Sequence, residues 1–341
     1  MPGGTISAGH GRLLTVLLDR MDTDMLHMIV NPAGAAGRTL RYFRQTVLPC
    51  FAGAQYQIHY SCRERGIGEI VSALTDPAAR TEDEYVNLVV VGGDGTMNEV
   101  MNGIRDFEHT RIGLIPAGSG NDLARDLDLP RDVKKIADRI RKEETSRKAD
   151  VGETIFHDSG FMQRFLVSSG AGFDAQACHM AQTAPMKGIL NRLRLGKLIY
   201  IFEAMKLIFT WRSVPVTISC DPKGKGDGET VLHVGKFVFM AAMNHRYEGG
   251  GFMMCPKAED DDGKLDYCLV HDLSVMDFFR FFPLAMTGAH VKHREIVSQL
   301  RRTGIRIRSE KPLWVHCDGE TSRTSTDVEM RIGREQINLM M

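Results

Sequence analysis

The chain has no surplus of either charge. Forty-three lysines and arginines balance forty-three aspartates and glutamates over 341 residues. A global electrostatic attraction to nucleic acid is therefore absent, and any anionic partner has to be met by a local patch. The chain also lacks a cysteine framework. Seven cysteines, an odd number with no Cys-x-x-Cys pair, argue against a disulfide scaffold or a thiolate zinc site and for reduced thiols in a cytosolic protein. Cys50, Cys62 and Cys268 are expected to be small buried apolar residues. No run reaches the roughly 18 uncharged apolar residues of a membrane span, and residues 13–18 are too short for a signal-peptide core. No internal repeat is visible. Residues 1–24 are expected to form a loose extension.

What the chain does have is glycine placed directly after apolar runs. Residues 86–91 are apolar and β-branched, stop at Gly92, and are followed from Thr96 by a segment carrying Val100, Met101 and Ile104 at helical spacing. Strand, glycine loop and helix follow in that order. Gly92, Gly93 and Gly95 permit positive φ and let N–H groups turn toward a ligand, with the positive end of a helix dipole behind them, which suits a phosphate chain. A second loop, residues 116–122, again follows an apolar run (Ile112, Leu114, Ile115) and precedes a helical stretch at 123–127. Two such loops leaving one edge of a parallel sheet converge on one crevice. Alone, either loop is equally consistent with a plain strand-to-helix turn.

The length suggests two domains, since one core rarely grows past about 250–300 residues. Strands at 26–30 and 55–61 and helices at 40–48 and 64–74 make residues 25–147 a doubly wound α/β domain with a parallel sheet. Residues 131–147 are dense in charge and predict a solvated helix at the boundary. Beyond it, strands are expected at 165–168, 214–220, 231–243, 265–271, 305–308 and 313–316, so residues 148–341 form a mainly β domain interrupted by helices. Residues 223–228 predict a flexible hairpin tip. His290 and His293 are expected on a helix face or the surface.

The two loops together carry a resemblance. Gly-Gly-Asp-Gly-Thr-Met-Asn-Glu-Val from Gly92, followed by Pro-Ala-Gly-Ser-Gly-Asn-Asp from Pro116, resembles the catalytic domain of the diacylglycerol kinase family, in its soluble bacterial lipid-kinase branch. The first five residues are shared with NAD kinases, and Asn98-Glu99 favours the lipid kinases. The second half continues the likeness with Gly249-Gly250-Gly251, Pro256-Lys257-Ala258 and Asp262-Gly263-Lys264-Leu265-Asp266, and with Asp318-Gly319-Glu320. The resemblance implies an ATP-dependent kinase that phosphorylates a lipid hydroxyl, foremost diacylglycerol to phosphatidic acid. ATP would be cradled by Asn31, Gly92, Gly93, Gly95, Thr96 and Met97, supported by Asn98 and Ser119, with Asp94 and Asp122 around a catalytic Mg2+. Glu320 would be the general base, orienting a lipid hydroxyl whose proton leaves late in a loose phosphoryl-transfer transition state. A structural Mg2+ would be held by the Asp262 side chain and the carbonyls of Glu259 and Lys264. Departures from the family pattern fall at Gly34, where many members have serine, and at Cys62, where the family has threonine.

Three readings stand side by side: a lipid kinase, an NAD kinase acting on a soluble substrate, and a nucleotide-binding regulatory module without activity. A lipid kinase without a span has to touch a bilayer peripherally. Residues 187–212, with six basic residues against Glu203 among apolar side chains, are the candidate for contact with an anionic membrane surface, equally consistent with a buried helix. Residues 278–284 are expected in the core. No nucleic-acid partner is expected, and a homodimer is left open.

Overall fold

The computed structural model describes residues 25–79, 81, 84–142, 146–184, 196–220, 230–232 and 235–341. The first half alternates strand and helix: β1 (Leu26–Val30), α1 (Gly34–Tyr42), β2 (Tyr56–Tyr60), α2 (Ile67–Leu74), β3 (Val86–Gly92), α3 (Asp94–Gly103), β4 (Thr110–Pro116), α4 (Asp122–Asp126) and α5 (Val133–Lys142). The strands pair in parallel in the order β4-β3-β1-β2. All seven residues of β3 are buried because the sheet is covered on both faces. Leu88 and Val90 join the core under α2 and α3, and Val89 and Val91 the core under α1 and α5. That alternation is what a continuous apolar run looks like in a doubly wound layer.

The second half is sheet-rich: β5 (Ser146–Phe156), β6 (Phe161–Phe165), β7 (Ser168–Gly172), α6 (Phe173–Thr183), α7 (Gly196–Thr210), β8 (Val216–Cys220), β9 (Thr230–Leu232), β10 (Phe237–Met243), β11 (Tyr247–Glu248), β12 (Phe252–Met253), β13 (Leu265–His271), α8 (Val275–Ala285), β14 (Val297–Arg302), β15 (Gly304–Cys317) and β16 (Glu320–Met340). One core contains Tyr267, Leu269, Met240, Val315 and Met330. Another, containing Cys268, Val270, Phe173, Ala204, Phe278 and Phe281, lies beneath α6, α7 and α8.

Several expectations shift. The strand expected at 165–168 is split between β6 and β7, and those expected at 305–308 and 313–316 are parts of β15, with a register shift between Arg308 and Leu313. The helix expected at 64–74 is α2, which begins at Ile67 with Gly66 as its N-cap. Cys62 is exposed, while Cys268 is buried. His290 is buried. Residues 1–24, the hairpin tip at 223–228, and Lys187, Arg192 and Arg194 lie outside the described residues.

β16 is the largest feature the sequence did not announce. It pairs antiparallel with β15 and β5, then reaches β4 in parallel through Asn338 and Leu339 opposite Arg111 and Ile112. Val328 and Met330 enter one core of the second half, whereas Ile337 and Leu339 enter a core of the first. The two halves thus share one continuous sheet, and the cleft is built along its seam.

Candidate active site

The two glycine loops meet backbone to backbone. Ala117 N–H donates to the Gly92 carbonyl at 2.8 Å, and a Cβ placed on Gly93 would lie 2.8 Å from the Gly118 Cα. None of Gly92, Gly93, Gly95, Gly118 or Gly120 has positive φ, so conformational freedom is not their reason. Each is small because something stands where its side chain would be. For Gly92 it is the Thr96 side chain; for Gly95, Glu320 Oε1 at 2.7 Å; and for Gly120, Asp94 Oδ2 at 2.8 Å. The left-handed residue of this region is Asn121, with φ of 54°, whose side chain accepts from Gly118 N–H and donates to the Gly118 carbonyl, both at 3.0 Å.

Asp94 opens α3 and reaches across to α4, accepting from the N–H groups of Asp122 and Leu123 at 3.2 and 3.3 Å. The start of α4 is thereby capped, and Gly93, Asp94, Gly95 and Thr96 at the opening of α3 line the cleft, at the end where a helix leaves its first N–H groups without intrahelical partners. Asp122 is buried, pairs with Arg125, and accepts from Gly250 N–H at 2.6 Å. The glycine triplet of the second half is therefore docked on α4. Gly249, Gly250 and Gly251 do have positive φ, at 60°, 83° and 126°, which side chains rarely tolerate. Burial, and then the Asp122 charge, push the Asp94 carboxyl up to about 6. A magnesium ion arriving on nucleotide phosphates needs only one or two protein carboxylates and keeps waters. Asp94 and Asp122 fit that requirement.

The turn joining β15 to β16 brings Glu320 to this place. Asp318 sits at its apex with φ of 51°. Its carboxylate accepts from Leu166, Val167 and Ser168 N–H at 3.1, 2.8 and 3.1 Å and from Asn98 Nδ2 at 2.8 Å. Asp318 is thus an anchor, and Asn98, expected beside the phosphates, is spent on it and on the Arg164 carbonyl at 3.1 Å. Met97 is likewise core, 2% exposed. Glu320 itself is exposed and oriented by a residue the sequence did not single out. Gln182 Nε2 donates to Glu320 Oε2 at 3.1 Å and to the Gly319 carbonyl at 2.7 Å, while Thr321 Oγ1 donates to Gln182 Oε1 at 2.6 Å.

These groups line one cavity of about 1070 Å³. At its polar end are Asn31, Gly92 to Thr96, Ser119, Asp122 and Glu320, together with Arg38, the one lysine or arginine of its lining among the described residues. Arg38 follows the small-residue loop after β1, donates from Nε to the Ala35 carbonyl at 3.0 Å, and is a lining residue that sequence reading passed over. Gly34 packs there against Thr39, whose Oγ1 would stand 2.8 Å from any Cβ at 34. At the other end the cavity continues between α7, α8 and the sheet, lined by Phe239, Phe252, Phe278, Phe281, Phe282 and Ile296.

The acidic loop before β13 is separate from this cavity. The Asp262 carboxylate pairs with Arg301, which also holds Glu259 at 2.9 Å and lies 3.9 Å from Asp266. Among the described residues no three His, Cys, Asp or Glu side chains are grouped as metal ligands. Asp262, expected with the carbonyls of Glu259 and Lys264 to hold a structural magnesium, is paired in this structure with the Arg301 guanidinium.

Similarity to known proteins is extensive. Residues 25–154 match the diacylglycerol kinase catalytic domain, and residues 167–340 the YegS C-terminal NAD kinase beta sandwich-like domain. A diacylglycerol kinase of Bacillus subtilis is 27% identical over 255 residues, covering 74% of this chain and 76% of its own. One from Mycobacterium tuberculosis is 29% identical over 236 residues, covering 68% and 70%. The crystal structure of a diacylglycerol kinase from Bacillus anthracis superposes with a TM-score of 0.62 at 21% identity, covering 93% of this chain and 96% of that one.

Proposed function

Because the chain belongs to the diacylglycerol kinase family, whose catalytic-domain model its first half matches, we propose that it is a phosphotransferase moving the γ-phosphate of ATP onto the hydroxyl of a lipid, with diacylglycerol the reference acceptor. The observation that supports this reading above others is the continuity of the cavity: a glycine and helix-N-terminus cradle with Glu320 at one end, and an aromatic chamber at the other. A water-soluble acceptor has no use for the second end.

In this mechanism the opening N–H groups of α3 and the Arg38 guanidinium hold the phosphates. Asp94 and Asp122 would hold the nucleotide's magnesium, which supplies charge neutralisation at the phosphoryl oxygens. Glu320, held by Gln182, accepts a hydrogen bond from the acceptor hydroxyl and takes its proton as the phosphoryl group arrives. Gly95 keeps Glu320 close to the cradle by leaving out a side chain.

The acceptor is drawn from a bilayer through the apolar face of α7 and α8. Phe202, Met205 and Phe209 on α7 and Val275, Met276 and Phe279 on α8 are exposed, with Phe209 and Met276 at 63% and 83%. Phe209 and Phe279 touch across the two helices, their ring centroids 6.0 Å apart. The inner sides of the same helices line the chamber. Lys206, one of the basic residues expected to face lipid, pairs with Glu203 at 2.6 Å.

Glu320→Gln is the decisive variant. It should reduce transfer by about three powers of ten, the scale of a positioned acid–base group, while ATP affinity measured by calorimetry survives. Near-parental turnover would remove Glu320 from the mechanism, and phosphorylation of NAD in place of any lipid in a labelled-ATP panel would overturn the acceptor class.

A further inference from the structure

Besides the phosphate cradle and the aromatic chamber, the cavity is lined by a set of polar side chains, Asp174, Glu248 and His316 among them, that phosphoryl transfer itself does not use. Asp174, on the first turn of α6, accepts from Ala175 N–H at 2.7 Å and faces His316 Nε2 at 3.2 Å. Gly319 N–H points at His316 Nδ1 from 3.3 Å, which leaves the ring proton on Nε2, directed at Asp174. Both oxygens of Asp174 are therefore accounted for.

Glu248, the last residue of β11, is different. Its Oε2 is buried and has no hydrogen-bond partner among the described residues, and the residue lines the cavity. Burial pushes this carboxyl up to about 7, His316 and a Ser168 hydrogen bond to the carboxyl opposing the rise and Asp174 and Asp122 adding to it. The Cys178 thiol, also in the lining, is raised by burial and then by Asp174, Glu248 and Glu320. Those three carboxylates therefore border one space. A buried acceptor atom left without a donor carries the desolvation cost of an unmade hydrogen bond, and once a bound ligand excludes water from this space the donor that relieves it has to come from that ligand.

We propose that Glu248 reads the head group of the acceptor, taking a hydrogen-bond donor (a second hydroxyl or an ammonium) carried next to the hydroxyl that is phosphorylated. The assignment rests on the lipid-kinase reading for its setting. Its chemistry is independent of it. Beside its free hydroxyl, a diacylglycerol offers only ester oxygens, all acceptors, and an acceptor placed against the ionised Oε2, the form that predominates above pH 7, leaves both atoms unpaired. A monoacylglycerol presents a vicinal hydroxyl and a long-chain amino alcohol an ammonium, and either satisfies Oε2. A site built to bond a donor discriminates strongly against an analogue that lacks it.

The test compares kcat/KM for monoacylglycerol, a long-chain amino alcohol and diacylglycerol of matched chain length. The parent enzyme should favour the first two. Glu248→Gln keeps the shape but adds an N–H2 donor, so the ratio of either donor lipid to diacylglycerol should fall by about tenfold or more, while Glu248→Asp, a carboxylate with shorter reach, should fall between. Hexadecylamine binding, followed by fluorescence without any transfer step, should weaken by about tenfold in Glu248→Gln. This arm still reports on the head-group site if no lipid is phosphorylated. A parent enzyme indifferent to the donor, or a Glu248→Gln variant with unchanged ratios and unchanged amine affinity, overturns the assignment.

Discussion

Asp94 carries the tension of the site in a single side chain. Its carboxyl caps α4 through two N–H groups, which favours the charge, yet burial and the neighbouring Asp122 charge hold it up to about 6. A carboxyl whose folded pKa lies above its unfolded one binds its proton more tightly in the native state. The fold therefore loses stability as pH rises from the ordinary carboxylate range through about 6, and the penalty is absent below that window, where the acid is neutral in both states. Asp94→Asn removes the charge. Its melting temperature relative to the parent should climb by a few degrees between about pH 4 and pH 7, while transfer is lost. A difference that stays flat with pH would show that the strain lies elsewhere. At this scale much of the site was legible: Gly92, Gly93, Gly95, Asp122 and Glu320 come together as their motifs suggested. The reason for the glycines was not legible, because close approach of Gly118 and Glu320 is a tertiary fact. For the same cause Asn98 read as a phosphate ligand when its amide is spent on Asp318, far along the chain.

Helices α7 and α8 show what periodicity conveys and what it leaves out. Both are apolar on more than one face, so the pattern alone does not say which face is buried. The core position expected for residues 278–284 holds for Phe278 and Phe281, whereas Phe279 is exposed beside Val275 and Met276. The exposed apolar surface is thus shared by two helices, only one of which lies in the basic stretch singled out in the sequence. Changing Phe202, Phe209 and Met276 together to serine removes three outward apolar side chains. If each is half buried in a bilayer, the loss is on the order of 1 kcal/mol apiece, and vesicle partitioning should fall by roughly two powers of ten. Activity on a short-chain lipid in detergent should persist. Unchanged co-sedimentation with vesicles would remove this face from membrane contact, and an equal loss in detergent would mark damage to the chamber.

The whole molecule is held as one body by β16, which was the least legible element. Its sequence is mostly polar, and a register shift between Ile332 and Gln336 breaks its alternation. Only the tertiary partners reveal that Val328 and Leu339 belong to different cores. Leu339 is 2% exposed and lies opposite Ile112, outside the cleft. Leu339→Asp buries an unpaired charge at the seam and should cost on the order of 3 kcal/mol or more. Calorimetry should then show one shifted transition, with ATP affinity and lipid activity declining together. Two separate transitions, or intact ATP binding with a lost second half, would show that the halves fold independently. The same strand sets a timetable. The edge of β4 is complete at Pro116, but its partner residues Asn338 and Leu339 come about 220 positions later. At 5–20 residues per second the ribosome takes roughly 10–40 s to deliver them. Throughout that interval the nascent first half presents an unpaired strand edge to its surroundings. A chaperone that shields strand edges during synthesis therefore has its longest task at β4, and codon choices that slow translation of the second half lengthen the exposure.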